Sequence, residues 1–350
     1  MISHFRFGFL LICMVLLNCD ANFRTLKPED NIYLFTTEDQ LLSTAYSQSI
    51  EDFYNSGQSG TFLGAANIPI YYNYFLQEDT PSPAIVISSG RTEAAIKYKE
   101  LIFDLFNQGY TVYIHDHRGQ GLSGRLTEDR DMGFVDEFQY YIDDLHSYYS
   151  NFVAKQKHSA VFLLAHSMGG AIGMRYLQQY PDTFKAASFS SPMLGFIPGT
   201  CRAVNLLNSD TPEYAITQGK YNDDKVEFKN NTLTGSEIRY NRMLAAYKAT
   251  PKARLGGATY QWLHKSCLEY TLMRAEIKAL KTPFILFSAD TEEIVDPKAH
   301  EAFVTAAQKM EKTCKAYLIE NAQHELLIEK DEQRIEVLNE TLNYFNTFKN

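Results

Sequence analysis

The junction between residues 161 and 170 constrains this chain more than any other stretch. Val161-Phe162-Leu163-Leu164-Ala165 is a run of five apolar residues, the length of a buried strand. It passes without a loop through His166-Ser167-Met168-Gly169-Gly170 into a helical pattern that stops before Pro181. A strand that turns straight into a helix leaves one residue on a sharp corner at the carboxyl end of the strand. Small residues on either side, here Ala165 and Gly169, let the two backbones approach. The pattern is a variant of G-x-S-x-G in which Ala165 stands where glycine is usual. The helix that follows turns its first N–H groups toward the corner, which favours developing negative charge. Ser167 is therefore a candidate nucleophile; the competing interpretation is a helix-capping serine in a tight turn. His166 reads as a packing residue, because a catalytic base must approach from across the site.

The same alternation extends along the chain. Strands are predicted at 64–75, 84–88, 110–115, 160–165, 185–190, 284–287 and 315–319. Helices are predicted at 94–108, 138–154, 169–179, 297–310 and 332–348. Strand–helix–strand repetition demands crossover connections and a mainly parallel sheet, so the fold class is α/β with helices flanking a central sheet. Between about 192 and 281 the rhythm breaks. That stretch holds Trp262 and many tyrosines without a strand pattern, and it reads as a helical cap inserted into the sheet domain. The expected organisation is a leader over 1–19, a polar N-terminal extension with some helix over 20–60, a core over 61–191 and 282–350, and a cap over 192–281.

A serine nucleophile needs a general base, and the base needs an orienting acid. His324 lies in the loop between the last predicted strand and the last helix, in Ala322-Gln323-His324-Glu325. The acid is expected after the strand 284–287, where Asp290, Glu292, Glu293 and Asp296 compete. Counting forward from the strand selects Asp290. Setting the register by Ile294-Val295-Asp296-Pro297 selects Glu292, which is preferred. The oxyanion formed in acyl transfer needs aimed donors. The N–H of Met168 and that of Arg91, in Ser89-Gly90-Arg91-Thr92 after strand 84–88, are the candidates. The Arg91 side chain is either a solvent-facing loop residue or a group for a phosphate or acidic headgroup. Asp116-His117-Arg118-Gly119-Gln120-Gly121-Leu122-Ser123 is assigned a structural role as a tight loop under the site.

Together these residues resemble the lysophospholipase L2 and monoacylglycerol lipase group of α/β hydrolases. The resemblance rests on Ser89-Gly90-Arg91 with Lys97-Tyr98, on Asp116 to Arg125, on the serine corner, on Gly256-Gly257-Ala258-Thr259-Tyr260-Gln261-Trp262 and on Ala322 to Glu325. It implies hydrolysis of a single-chain acyl ester, without metal or organic cofactor. The rivals are a carboxylesterase for short or soluble esters and a non-catalytic binding protein.

Charge and cysteine usage limit the partners. A net charge of −9 offers no basic footprint for nucleic acid. Arg6 followed by the apolar stretch 7–17 suits a secretory leader and is short for a membrane span. Leu16-Leu17-Asn18-Cys19-Asp20 resembles a lipobox, with Asn18 a poor fit, so Cys19 is either a lipidation site or lies near an ordinary cleavage site. Export is expected, and with it a membrane surface as partner. Cys201 and Cys267 are read slightly in favour of buried thiols over a disulfide, and the cysteine spacings do not suit zinc.

Overall fold

The computed structural model describes residues 23–26, 30–79, 81–207, 211–222 and 227–349. The expected leader and Cys19 lie outside the described residues. Among the described residues, nine strands form one sheet in the order β1-β9-β8-β7-β6-β4-β5-β3-β2. They are β1 (Arg24–Thr25), β2 (Gln58–Leu63), β3 (Pro69–Phe75), β4 (Ser82–Ser88), β5 (Thr111–His115), β6 (His158–His166), β7 (Ala187–Ser190), β8 (Phe284–Ala289) and β9 (Cys314–Ile319). The β2–β3 and β3–β5 pairs are antiparallel and every other pair is parallel.

The apolar runs are continuous because both faces of the sheet are covered, and the pleat sends alternate residues to opposite cores. Val86, Leu163 and Leu286 enter one core, with α4 (Gln139–Tyr148), α5 (Ser167–Gln179) and α9 (Pro297–Lys309). Ile85, Phe162 and Ile285 enter the other, with α3 (Lys99–Asn107) and α10 (Asp331–Asn346). The elements read from sequence are present, with ends shifted by a few residues. The aromatic stretch after α4 continues as one wider turn, Tyr149–Val153.

The stretch expected as an N-terminal extension is woven into this body from residue 30 onward. It contains α1 (Glu38–Leu42) and α2 (Thr44–Asn55), and it leads into β2 at one edge of the sheet. Phe35 and Ile50 are buried. Thr36 donates to the buried Asp104 carboxylate from its amide at 3.0 Å and from its hydroxyl at 2.6 Å. The polar composition that suggested a loose extension is largely helix-capping chemistry. Thr37 and Gln40 form a capping box on α1, and Ser43 caps α2.

Between β7 and β8 the described residues form α6 (Thr200–Leu207), α7 (Glu237–Ala249) and α8 (Tyr260–Ala275) and add no strand to the sheet. Cys201 on α6 and Cys267 on α8 form a disulfide, which corrects the preference for separate thiols. Spacing alone could not reveal this, because the partners are 66 residues apart and are brought together only by the helix packing. Cys314 is a free thiol.

Candidate active site

Ser167 sits where β6 becomes α5, with φ at 51° in the left-handed region. That conformation is strained for a non-glycine residue and is held by its surroundings. A Cβ on Gly169 would lie 2.1 Å from the Ser88 carbonyl oxygen, so only glycine lets the helix start against β4. The Ala165 methyl lies beside Gly173, where an added Cβ would stand 3.5 Å from it and 2.9 Å from Leu163 Cδ2. On the opposite side, a Cβ on Gly90 would come within 3.1 Å of Ser167 Cβ. The loop after β4 thus lies directly against the serine.

His324 follows β9, and its Nε2 is 2.9 Å from Ser167 Oγ. Its Nδ1 is 2.7 Å from Glu292 Oε2. A carboxylate only accepts, so Nδ1 carries the proton and Nε2 is left to accept from the serine hydroxyl. The Glu292 side chain is fully buried. Burial pushes its carboxyl up, but His324 and the amides of Ile294 and Val295 outweigh burial and hold it below the usual value. Those amides donate to Glu292 Oε1 at 2.8 and 3.1 Å.

The other acidic candidates are engaged differently. Asp290 accepts from the amides of Asn321 and Ala322 at 2.9 and 3.1 Å, because the register that pairs Ala289 with Ile319 sets it opposite the turn after β9. Glu293 is exposed, and Asp296 caps α9 through the Lys298 amide. The geometry joins Ser167, His324 and Glu292 and leaves Asp290 as a brace for the turn that precedes the histidine.

Met168 supplies one of the first amides of α5, which have no acceptor within the helix. Arg91 is next to Gly90 in the loop facing the serine, and Thr92 beside it has φ at 64°, unusual for a β-branched residue. Gln120 Nε2 ties this loop down by donating to the Gly90 and Glu93 carbonyls at 2.7 and 2.9 Å. Gly121, at φ 56°, lies where any Cβ would overlap the Asp116 carboxylate, which accepts from the Ala95 and Leu122 amides. The loop under the site therefore braces the loop facing Ser167.

One functional feature escaped the sequence reading. Beneath the serine–histidine contact lies a buried group of four titratable side chains: Glu93, Lys97, His166 and Glu325. Lys97 Nζ bonds Glu325 Oε2 at 2.5 Å and also contacts Glu93. His166 Nδ1 is 3.0 Å from the Ser190 carbonyl oxygen, and its Nε2 is 3.2 Å from Glu325 Oε2. His166 Nε2 thus faces the Glu325 carboxylate, while Nδ1 lies against a carbonyl oxygen. Burial pushes the His166 ring down, yet Glu325 and Glu93 outweigh it and raise its pKa. Burial likewise pushes Glu325 up, while Lys97 and His166 hold it well below the carboxylate range. His166 thus packs beside the nucleophile, as expected, and also stands against two buried carboxylates.

By residue type Glu93, His166 and Glu325 resemble metal ligands, with donor atoms within 4.8 Å of one another. The Lys97 ammonium already bridges both carboxylates and occupies the place a cation would take. The arrangement places consecutive residues in two tiers: Ser167 against His324 above, and His166 against Glu325 below. Two titratable residues flanking the predicted nucleophile and base were the available signal.

Ser167 also lines a cavity of about 430 Å3 whose walls include Met193, Phe196, Val204, Trp262 and Leu263. It lies between the strand ends and helices α6 and α8.

Comparison with known proteins agrees with this architecture. The family model described as serine aminopeptidase, S33, matches residues 79–331. Lysophospholipase L2 of Escherichia coli (strain K12) is 35% identical over 85% of this chain and 90% of its own length. Monoglyceride lipase of Mus musculus is 25% identical over 77% of this chain and 84% of its own. A solved soluble variant of monoglyceride lipase from Saccharomyces cerevisiae superposes with a TM-score of 0.64 at 18% identity, covering 83% of this chain and 96% of that one. The chain belongs to the serine aminopeptidase S33 family of α/β hydrolases, within the group of lysophospholipase L2 and the monoglyceride lipases.

Proposed function

We propose that this protein hydrolyses the fatty-acyl ester of single-chain lipids, lysophospholipids or monoacylglycerols. Support comes from relatives that carry those two activities in their names and from the apolar cavity at Ser167, which is the observation that carries the reading. Its volume falls within the range of small-molecule sites, roughly 300–1,000 Å3. Among the described residues Arg91 is the single charged one in its walls, so it suits a hydrocarbon chain.

In the proposed mechanism His324 Nε2 takes the Ser167 proton as Oγ attacks the ester carbonyl. The amides of Met168 and Arg91 hold the oxyanion. Glu292 keeps the imidazole in the required tautomer and stabilises the imidazolium. The alcohol leaves with the proton from His324, forming an acyl-enzyme on Ser167. Water, deprotonated by the same histidine, then releases the fatty acid. Kinetics on lysophospholipids, monoacylglycerols and short nitrophenyl esters, with Ser167→Ala as control, test this reading. Long-chain preference and loss of turnover in Ser167→Ala are expected. A preference for short esters would instead favour a carboxylesterase, and turnover retained by Ser167→Ala would refute the nucleophile.

We further propose that the protein is exported and works at a membrane surface. Arg6 with the apolar stretch 7–17 supports export, and the Cys201–Cys267 disulfide is of a kind that persists in oxidising compartments. Ile197, Leu207, Ile216 and Ile294 line the acyl cavity and are exposed at its rim, where a lipid surface would cover them. No described helix is long and apolar enough to cross a membrane. If Cys19 is lipidated, Cys19→Ala moves the protein from the membrane fraction to the soluble one; unchanged fractionation speaks against lipidation.

A further inference from the structure

A second cavity, of about 440 Å3, adjoins the first. Arg91 and Gln218 line both, so the Arg91 side chain stands at their junction. The two cavities differ in chemistry. The walls of the second contain four cationic side chains, Arg91, Lys97, Lys220 and Arg254, and two carboxylates, Glu93 and Glu325. Lys97 is consumed by those two carboxylates in the buried group below the serine. Lys220 lies 3.5 Å from the Asp129 carboxylate, so the cation whose place bears most on a ligand is Arg91, at the junction of the two cavities.

Arg91 is the informative residue. Its Nη1 donates to the Gly256 carbonyl at 3.1 Å, and its guanidinium lies 5.4 Å from the centre of the Trp262 ring. Among the described residues no carboxylate pairs with it. Desolvation lowers its pKa to about 10, so it stays charged at neutral pH. A desolvated guanidinium without an anion is unfavourable, and an anionic ligand would relieve it. The position is also decisive for an ester bound at Ser167. With the acyl chain in the apolar cavity, the alcohol portion must leave on another side, and the adjoining space across Arg91 is this second cavity.

We propose that the second cavity receives the alcohol portion of the substrate and that Arg91 binds a phosphodiester there, which makes the protein selective for lysophospholipids over monoacylglycerols. The inference rests on the lipid-ester reading above. A lysophospholipid presents its phosphodiester one glycerol length from the scissile ester, whereas a monoacylglycerol presents only neutral hydroxyls. Guanidinium and phosphate oxygens match in a charge-assisted, two-pronged geometry that hydroxyls do not offer.

The test compares kcat/KM for a 1-acyl lysophospholipid and the 1-monoacylglycerol of the same chain length, in micelles of one neutral detergent, for wild type, Arg91→Lys and Arg91→Met. The wild type should prefer the lysophospholipid. Arg91→Met should lower that preference roughly tenfold to a hundredfold, the value of a hydrogen bond to a charged group, with Arg91→Lys between. A general defect at the oxyanion amides slows both substrates alike, so it cancels in the ratio. A ratio unchanged by Arg91→Met overturns this inference while leaving the lipid-ester reading intact. Hydrolysis of neither lipid by the wild type overturns that reading, and the inference with it. Inorganic phosphate is added to the monoacylglycerol assay as the remaining arm. Inhibition there without any preference for the lysophospholipid marks a free-phosphate site and also overturns the headgroup assignment.

Discussion

The strand ends that carry Ser167, Glu292 and His324 contrast with α6, a part of the insertion that lines the cavity beside them, whereas α7 and α8 are anchored to the core by Arg239 and Glu269. At the strand ends the reacting groups are each held by a named contact: His324 lies between Ser167 and Glu292, and Glu292 accepts from the Ile294 and Val295 amides. Gly169 and Gly90 allow close backbone approach around the serine, Asp290 braces the histidine turn, and the buried group of Glu93, Lys97, His166 and Glu325 lies underneath. In the insertion, α6 is pinned to α8 by one disulfide, and α6 exposes Leu206 and Leu207. The first region has the features of preorganisation, in which reacting groups are fixed before substrate arrives. The second has the features of an adaptable apolar cover.

The sharpest way to break this comparison is through the acid. Glu292→Gln should reduce kcat on the order of 10³–10⁴-fold, because the wrong histidine tautomer is then favoured. Asp290→Asn weakens the bonds from the Asn321 and Ala322 amides and the Thr291 hydroxyl, none of which touches His324, and should cost about tenfold or less. If Asp290→Asn is the more damaging of the two, the contact between Glu292 and His324 does not orient the base.

The buried charges give the next effect. Glu325→Gln leaves Lys97 and His166 facing Glu93 alone. A single charge removed from a buried group costs on the order of 3 kcal/mol, which denaturant unfolding at neutral pH will measure. The pH dependence has two limbs. Glu325, held below its ordinary value, stabilises the fold above the usual carboxylate range and loses that contribution as pH falls through its lowered pKa. His166, raised above its ordinary value, contributes below the usual histidine range and loses it as pH rises through its raised pKa. The variant should lose both limbs together, and a stability–pH curve identical to wild type would show that the four groups do not act as a unit. A loss of kcat up to about a hundredfold should accompany it, since the group seats the serine and histidine relative to each other.

The smallest catalytic effect is expected in the cover. Cys201→Ser removes a cross-link closing 66 residues, worth on the order of 4 kcal/mol to stability by the loop-entropy argument. It should raise KM for long-chain esters several-fold and leave kcat nearly unchanged, because α6 lines the cavity while the reacting groups sit on the sheet. A fall in kcat with KM constant would erase the distinction between the two regions.

The same contrast explains what the sequence revealed. Ser167, His324 and Glu292 were legible because each is announced by neighbours in the chain: a strand running into a helix, a loop after the last strand, and Ile294-Val295 in fixed register with the acid. The register works physically, since Ile294 and Val295 donate their amides to the Glu292 carboxylate. The packing of residues 30–60, the disulfide and the approach of His166 to buried carboxylates were not legible in this way. Each depends on partners distant in sequence: Asp104 for Thr36, Cys267 for Cys201, and Glu325 for His166. Local pattern carries strands, helices and motif residues, whereas long-range pairing appears only once the chain is folded.

The account centres on Ser167 as the residue that opens a long-chain lipid ester. The most direct measurement is fatty-acid release from a lysophospholipid by the wild type and by Ser167→Ala, with circular dichroism confirming that both are folded. Release by the wild type and none above background by the folded variant is the predicted result. Equal release by the two proteins would contradict it.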